Sequence, residues 1–232
     1  MKSDHLFPEL LAETEWLAEH LEDPGLLVVD ADTGEAYARA HIPGAVLVPD
    51  SAYLKDPDRP AHILGTRQFA AAMEALGIGD DTLVVAYDNS RGLHAARLWW
   101  ALSYYGHTSV KVLNGGWRKW FREGRPTTIA EPPPRGKATF TPRPDPSLIV
   151  TTEQLKEDYD NPGVVVWDVR SRSEYTGENT RGNKRFGHIP GAVHLEWSDL
   201  VNEEDHTLKP AREVRRMLKE KGIVPEKEVL AH

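Results

Sequence analysis

The sequence contains one pattern twice, and this repeat limits the folds open to the chain more than any other feature does. Residues 41–46, His-Ile-Pro-Gly-Ala-Val, recur letter for letter at residues 188–193. Upstream, residues 14–37 align without a gap to residues 152–175 at a constant offset of 138. Nine of these 24 positions are identical: Thr14/Thr152, Glu15/Glu153, Leu17/Leu155, Glu19/Glu157, Pro24/Pro162, Gly25/Gly163, Val28/Val166, Asp30/Asp168 and Tyr37/Tyr175. The period is far longer than that of a solenoid repeat, so we expect each copy to form a domain.

The alignment also predicts where the domains lie. Downstream of the repeated hexapeptide, Gly77-Ile78 matches Gly222-Ile223, so Tyr87 pairs with His232, the last residue of the sequence. Everything that the first copy holds after Tyr87 has no counterpart in the second. We therefore expect a first domain at residues 1–125 and a second, truncated domain at residues 148–232.

The segment between the two copies differs in composition. Residues 126–147 contain seven prolines and show little apolar periodicity. This composition is typical of a stiff, extended linker, with a strand-like piece at Thr139-Phe140.

Strands and helices alternate within each copy. Residues 26–29 and 164–167 are continuous apolar runs, as expected for strands that are buried on both faces, and each is followed by an aspartate. Similar reasoning predicts further strands at 46–48, 83–87, 110–113, 193–195 and 229–232, and helices at 66–76, 93–105, 117–121 and 211–221. The order predicts an α/β fold with two domains, each a parallel sheet with helices on both faces, the second domain being incomplete.

Charge and composition exclude several classes of protein. The net charge of −8 argues against a nucleic-acid surface, because such a surface needs a basic face to meet phosphates. The amino terminus lacks the apolar stretch of a signal peptide, and no run approaches the ~20 apolar residues of a membrane span. We expect a cytoplasmic protein without nucleic-acid or membrane partners. There is no cysteine, which excludes disulfides, thiolate metal sites and a cysteine nucleophile within these residues. We predict neither a cofactor nor a metal.

In an open α/β sheet, the functional site lies beyond the carboxyl ends of the strands. The loop after Tyr87, and its counterpart after His232, are the natural candidates. Such a loop presents backbone N–H groups at a helix N-terminus, which stabilises an anion and lowers the pKa of a thiol placed first in the loop. The first copy has Asp88 there. A carboxylate suits an anion-binding loop poorly and cannot carry sulfur, so we expect Asp88 to cap the following helix or its turn and the first copy to be non-catalytic.

Together these motifs carry a family resemblance. The segments DADTGEAYARAHIPGAV and VLNGGWRKW in the first copy, with DVRSRSEYTGE and GHIPGAVHLEW in the second, resemble the rhodaneses, and in particular the bacterial two-domain thiosulfate sulfurtransferases. The resemblance implies that a cysteine takes the outer sulfur of thiosulfate, becomes a persulfide and passes this sulfur to cyanide or to a biological thiol. The substrates would be small molecules.

The resemblance also implies a position for each functional residue. The nucleophilic cysteine is expected directly after His232, so a chain of these 232 residues is predicted to be inactive. Asp168 and Arg170 match the family's D-x-R motif near the site, although an ordinary salt bridge explains them equally well. Glu174 stands where mercaptopyruvate-type relatives have a substrate-binding arginine, and its charge would favour thiosulfate. Trp197 matches a tryptophan that lines the site, or is a core aromatic residue.

Other functions stay open at this point. The chain could be a 3-mercaptopyruvate sulfurtransferase, or a non-catalytic double module that binds a partner or scaffolds a sulfur relay. It could also be a related anion-loop enzyme on the same fold, such as a phosphatase or an arsenate reductase. The residues after position 232 would discriminate among these classes. Neither the physiological sulfur acceptor nor the oligomeric state follows from the sequence.

Overall fold

The described part of the chain forms two compact units. The computed structural model describes residues 9–48, 54–59 and 62–232. The first unit comprises the described residues up to Asp145 together with Glu203–Thr207. The second unit comprises Pro146–Asn202 and Leu208–His232. The domain boundaries derived from the sequence stay predictions.

The first unit alternates strands and helices along the chain. Its elements are β1 (Leu11–Ala12), α1 (Thr14–His20), β2 (Leu26–Asp30), α2 (Gly34–Arg39), β3 (Val46–Leu47), α3 (Thr66–Ala75), β4 (Leu83–Tyr87), α4 (Leu93–Tyr104), β5 (Val110–Leu113) and α5 (Gly116–Arg122). The five strands form one sheet in the order β1-β5-β4-β2-β3, and all pairs are parallel. This architecture confirms the predicted fold class for the first copy.

Helices cover both faces of this sheet. Because side chains alternate along a strand, Leu27 and Val29 join the core cluster of α3 and α4, whereas Leu26 and Val28 join that of α1 and α5. All four are essentially buried. The continuous apolar run at this strand therefore reflects burial on two faces, as the sequence predicted.

The second unit repeats the centre of this arrangement. Its elements are α6 (Thr152–Asp158), β6 (Val164–Asp168), α7 (Arg172–Thr176), β7 (Val193–His194), α8 (Ala211–Glu220) and β8 (Glu228–Ala231), with short 3₁₀ helices at Pro146–Leu148 and Trp197–Leu200. The sheet order β7-β6-β8, with both pairs parallel, matches the order β3-β2-β4 of the first unit. Thus β6 corresponds to β2, and β8 to β4.

The repeated hexapeptide forms the same turn in both units. The Ala45 N–H donates to the Ile42 carbonyl at 3.0 Å, and the equivalent bond in the second unit, from Ala192 to Ile189, measures 2.9 Å. Between them lie a proline and a glycine, and the glycines have φ values of 77° and 78°. A type II turn favours proline at its second position and needs a positive φ at its third, so the fold requires this motif at both places.

A stacked pair precedes each turn and fixes the loop that enters it. The Tyr37 and His41 rings lie 3.8 Å apart, as do the Tyr175 and His188 rings. Each tyrosine hydroxyl donates to the alanine carbonyl of the following turn, at 2.8 Å in the first unit and 3.0 Å in the second. Both copies have this arrangement, which therefore serves the fold.

The proline-rich segment packs along the first unit. The Phe140 side chain is buried against Phe69, in the core beside α3 and α4. The Arg135 guanidinium donates to the Leu26 carbonyl at 2.8 Å, and the Asp80 carboxylate accepts from the N–H and the hydroxyl of Thr141. The strand-like piece predicted at Thr139-Phe140 is wrong, since these residues are in no strand. Their apolar signal instead reflects burial of the Phe140 ring.

Candidate functional site

The loop that follows β4 is built around the carboxylate of Asp88. One oxygen accepts the N–H groups of Ser90 and Gly92, at 2.7 and 2.8 Å. The other accepts those of His94 and Ala95, both at 2.8 Å. The residue is only 1% exposed. The carboxylate thus caps the first turn of α4, whose own cap residue, Gly92, has no side chain to offer.

This arrangement corrects one expectation. Asp88 caps the helix as expected, but a carboxylate does not suit this loop poorly, because here the carboxylate is itself the anion that the loop binds. The same residue also orders α5, because the Asp88 carbonyl accepts the Trp117 N–H at 2.9 Å. Gly116 approaches so closely that a Cβ atom would lie 2.2 Å from the Asp88 carbonyl oxygen. Only glycine can therefore occupy that position.

A second buried carboxylate lies beside this loop, at the end of β2. Asp30 is 3% exposed, and it accepts the Tyr87 hydroxyl at 2.5 Å and the Asp32 N–H at 2.8 Å. Burial raises the pKa of Asp30 to about 6; these two hydrogen bonds lower the pKa but do not offset the burial, and the nearby Asp32 charge raises it further. A small cavity of about 100 Å³ borders these residues and Trp117.

The equivalent aspartate of the second unit has the opposite electrostatic setting. The Arg170 guanidinium forms a two-pronged ion pair with the Asp168 carboxylate, at 3.0 and 2.6 Å. Burial alone would raise the pKa of Asp168, but the hydrogen bonds and the charge of Arg170 outweigh it, so that pKa is lowered. Arg170 stands where the first unit has Asp32. One position thus reverses the charge at the carboxyl end of this strand.

The predicted site residue Glu174 lies next in the chain, on α7. Its carboxylate accepts the Ser171 hydroxyl at 2.7 Å and pairs with the Arg181 guanidinium at 2.9 Å. Burial would raise the pKa of Glu174, but these two partners prevail and lower it. Because Arg181 compensates the charge of Glu174, this carboxylate would repel a carboxylated substrate less than the sequence argument assumed.

His232 and Trp197 lie at the same edge of the second sheet. The His232 carbonyl accepts the Val169 N–H at 3.0 Å, and the Val169 carbonyl accepts the Trp197 N–H at 3.1 Å. Burial, followed by the charge of Arg170, lowers the pKa of His232, although Asp168 and Glu174 oppose this. His232 also borders a cavity of about 170 Å³ that Leu155, Val166 and Leu230 help to line.

The second unit therefore has two ion pairs at its strand ends. Asp168 balances the charge of Arg170, and Glu174 balances that of Arg181. Each guanidinium has five N–H donors, so the donors that the ion pairs leave unused can bind a small anion. Within the described ranges, no three histidine, aspartate or glutamate side chains are grouped as metal ligands. Nor does that part of the chain contain a helix with the length and apolar character of a membrane span.

Arg181 is a site residue that no sequence motif indicates. This residue lies in an irregular segment rich in glycine and asparagine, seven positions from its partner Glu174. The helix that holds Glu174 ends at Thr176 and the chain beyond it is irregular, so the spacing of seven residues predicts no contact between the two side chains. The one available signal was the length of the segment, which contains twelve residues between Tyr175 and His188, against three between Tyr37 and His41.

Comparisons with known proteins agree with this geometry. The family model described as rhodanese-like domain matches residues 13–123 and 151–231. The sulfur carrier protein TtuD of Thermus thermophilus is 37% identical over 97% of this chain and 82% of its own length. The thiosulfate sulfurtransferase of Bos taurus is 33% identical over 95% of this chain and 80% of its own. SseA from Escherichia coli, described as a 3-mercaptopyruvate sulfotransferase, superposes with a TM-score of 0.85 at 27% identity and covers 95% of this chain and 87% of that structure.

Replacement of Asp88 by alanine should destabilise the first unit and make it responsive to small anions. The change leaves four N–H groups without their acceptor, which we expect to cost about 3 kcal/mol or more in unfolding free energy. Urea titration measures this loss. Added formate should restore part of it in Asp88→Ala and have no comparable effect on the wild-type protein.

Ser90→Ala is the matched control, because it keeps the carboxylate and all four donors. We expect its stability to lie within about 0.5 kcal/mol of the wild type. Unchanged stability of Asp88→Ala without formate would contradict the role assigned to the carboxylate.

The raised pKa of Asp30 predicts a specific pH dependence. The folded protein binds the Asp30 proton more tightly than the unfolded chain does. The protonated carboxyl group therefore contributes its full stabilisation of the folded state below pH 4, and this contribution is lost as the pH rises to about 6. The loss should approach ~3 kcal/mol, since each pKa unit corresponds to about 1.4 kcal/mol. Asp30→Asn should lack this loss and gain stability relative to the wild type between pH 4 and 7.

Urea unfolding across that pH range measures the difference between the two proteins. The exposed Asp23→Asn provides the control and should follow the wild-type curve. A constant difference between Asp30→Asn and the wild type from pH 4 to pH 7 would show that Asp30 does not titrate in this range.

Proposed function

Because this chain belongs to the rhodanese-like domain family, we propose that it forms part of a sulfurtransferase that transfers the outer sulfur of thiosulfate to cyanide or to a thiol acceptor. The observation that carries the proposal is the parallel pairing of β8 with β6. This pairing brings the end of β8 beside Asp168 and Arg170, as β4 brings the Asp88 loop beside Asp30 and Asp32. At this edge the first unit has the carboxylates of Asp30, Asp32 and Asp88, whereas the second unit has the guanidinium groups of Arg170 and Arg181, each paired with a carboxylate. Thiosulfate is a dianion, which a guanidinium can bind.

The proposed nucleophile is a cysteine that directly follows His232 in the gene. At that position its sulfur would occupy the place that the Asp88 side chain occupies in the first unit. The thiolate attacks the outer sulfur of thiosulfate, the sulfur–sulfur bond breaks, and sulfite leaves with the electron pair. Cyanide or an acceptor thiolate then attacks the persulfide, and the cysteine thiolate is regenerated as the leaving group.

The residues of the second unit take distinct roles in this proposal. Arg170 holds positive charge near the reacting sulfur, and Asp168 orients its guanidinium through the two-pronged contact. Glu174 orients Arg181, while Trp197 lines the substrate site. Asp88 is the non-catalytic counterpart of the nucleophile, since its carboxylate already fills the loop. The reaction needs no cofactor, and we propose a cytoplasmic location.

Thiocyanate formation from thiosulfate and cyanide tests this function. The gene product that continues past His232 should turn over, whereas the polypeptide of these 232 residues, which has no cysteine, should not. The control is the longer form with the cysteine after His232 replaced by serine, and it should be inactive. Turnover by the 232-residue polypeptide would contradict the nucleophile assignment, and an inactive longer form would contradict the function.

One specific observation bears on a second candidate substrate, 3-mercaptopyruvate. The Arg181 guanidinium lies beside the site but is engaged by Glu174 at 2.9 Å. With this pair intact, we expect a higher kcat/KM for thiosulfate than for mercaptopyruvate. Glu174→Gln frees Arg181 and Glu174→Arg adds a cation, so both changes should narrow the gap by about tenfold, which corresponds to 1.4 kcal/mol.

The specificity experiment measures kcat/KM for both substrates with the active, longer form. Lys156→Ala, an exposed change on α6, is the control and should leave the ratio unaltered. Equal or better use of mercaptopyruvate by the wild-type protein would contradict the expected preference. An unchanged ratio of the two kcat/KM values in Glu174→Arg would show that Glu174 does not determine this preference.

A further inference from the structure

An exposed loop in the second unit has no equivalent in the first. Residues 178–186, which we name the basic loop, are all exposed. They account for the extra length between Tyr175 and His188, where the first copy has only three residues between the equivalent tyrosine and histidine. The stacked tyrosine–histidine pair and the turn after it are the same in both units, so the fold does not require this insertion.

The loop is basic although the chain as a whole is acidic. It contains Arg181, Lys184 and Arg185 against the single acidic residue Glu178, whereas the net charge of the chain is −8. Glu174 engages Arg181. Among the described residues, Lys184 and Arg185 pair with no carboxylate. Two positive charges are therefore free at the surface.

An aromatic side chain stands next to these charges. The Phe186 side chain is 72% exposed. Covering such a ring on binding removes apolar surface from water, and aromatic residues are frequent among those that dominate the energy of an interface. An exposed aromatic residue flanked by cations is typical of a protein-binding surface.

The base of the loop is tied to the proposed sulfur site. The Arg170 guanidinium donates to the Gly187 carbonyl at 2.9 Å, and Arg181 pairs with Glu174 on α7. A partner held by Lys184, Arg185 and Phe186 would therefore lie beside the strand ends where the sulfur is handed over. A small thiol reaches such a site by diffusion and has no use for a projecting loop.

We propose that the basic loop docks the sulfur acceptor, and that this acceptor is a small protein with an acidic, partly apolar surface. The inference rests on the sulfurtransferase function proposed above. The charge of the loop is complementary to such a partner, and Phe186 supplies an apolar anchor. A nucleic acid fits less well, because proteins that bind one neutralise about 6–10 phosphates, and this loop offers two free cations on an acidic chain.

Binding of defined peptides to the 232-residue chain tests the proposal without any need for a thiol. The probe is a fluorescein-labelled 12-residue peptide with four glutamates and two leucines. A peptide with lysine in place of glutamate and a single-stranded RNA of 12 nucleotides serve as comparisons. Anisotropy should show binding of the acidic peptide alone, at least tenfold tighter than the lysine peptide, with affinity falling as salt is raised from 20 to 200 mM.

Variants identify the surface. The double change Lys184→Glu with Arg185→Glu should weaken binding of the acidic peptide at least tenfold, and Phe186→Ala about fivefold. The matched control is Lys156→Glu with Lys219→Glu, which reverses two charges on helices of the same unit and should have little effect. Circular dichroism verifies that all variants are folded.

Three results would overturn the docking proposal: equal binding of the two peptides, no effect of the loop variants, or tighter binding of the RNA through Lys184 and Arg185. The last result would assign the loop to a nucleic acid. Because the assay measures binding only, failure of thiocyanate formation with intact peptide binding would count against the sulfurtransferase function and not against the docking surface.

Discussion

Parallel pairing at the centre of each sheet is the constraint on which the rest of the structure depends. The pairing of β2 with β4 places Asp30 against Tyr87, and the pairing of β6 with β8 places Trp167 against Ala231. The carboxyl ends of the paired strands therefore meet at one edge, and the loops that follow them must converge there. The charged residues and the loops of the site are therefore those that follow the paired strands at this edge.

The two copies differ in the charge of one residue near the aspartate that ends the central strand. The same aspartate ends β2 and β6, but the residue two positions later is Asp32 in one case and Arg170 in the other. Burial raises the pKa of Asp30 to about 6, and the charge of the neighbouring Asp32 adds to this shift. With a guanidinium bound to it, Asp168 has a lowered pKa. Two copies of one fold thus hold the same aspartate in a buried, proton-binding setting in one case and in an ion pair in the other.

Local patterns predicted most of the elements and some of their details. The strands at 83–87 and 110–113 were predicted with their observed limits, because apolar runs bounded by polar turns define buried strands well. The cap of α6 lies one residue before the repeated threonine, since Thr151 and not Thr152 accepts the Gln154 N–H. The two-residue strand β1 was not predicted, because its partner β5 lies a hundred residues away and its own pattern is too short. The Glu174–Arg181 pair escaped prediction for a similar reason: it depends on the path of an irregular loop.

The Asp88 carboxylate has a consequence for how the first unit meets its surroundings. The carboxylate is attached to the chain by two covalent bonds. Its effective concentration at the four N–H groups is therefore fixed and does not fall on dilution. A dissolved anion could bind these N–H groups only by displacing the covalently attached Asp88 carboxylate. The first copy therefore keeps the shape of an anion-binding loop while its occupancy is independent of the ionic composition of the cell.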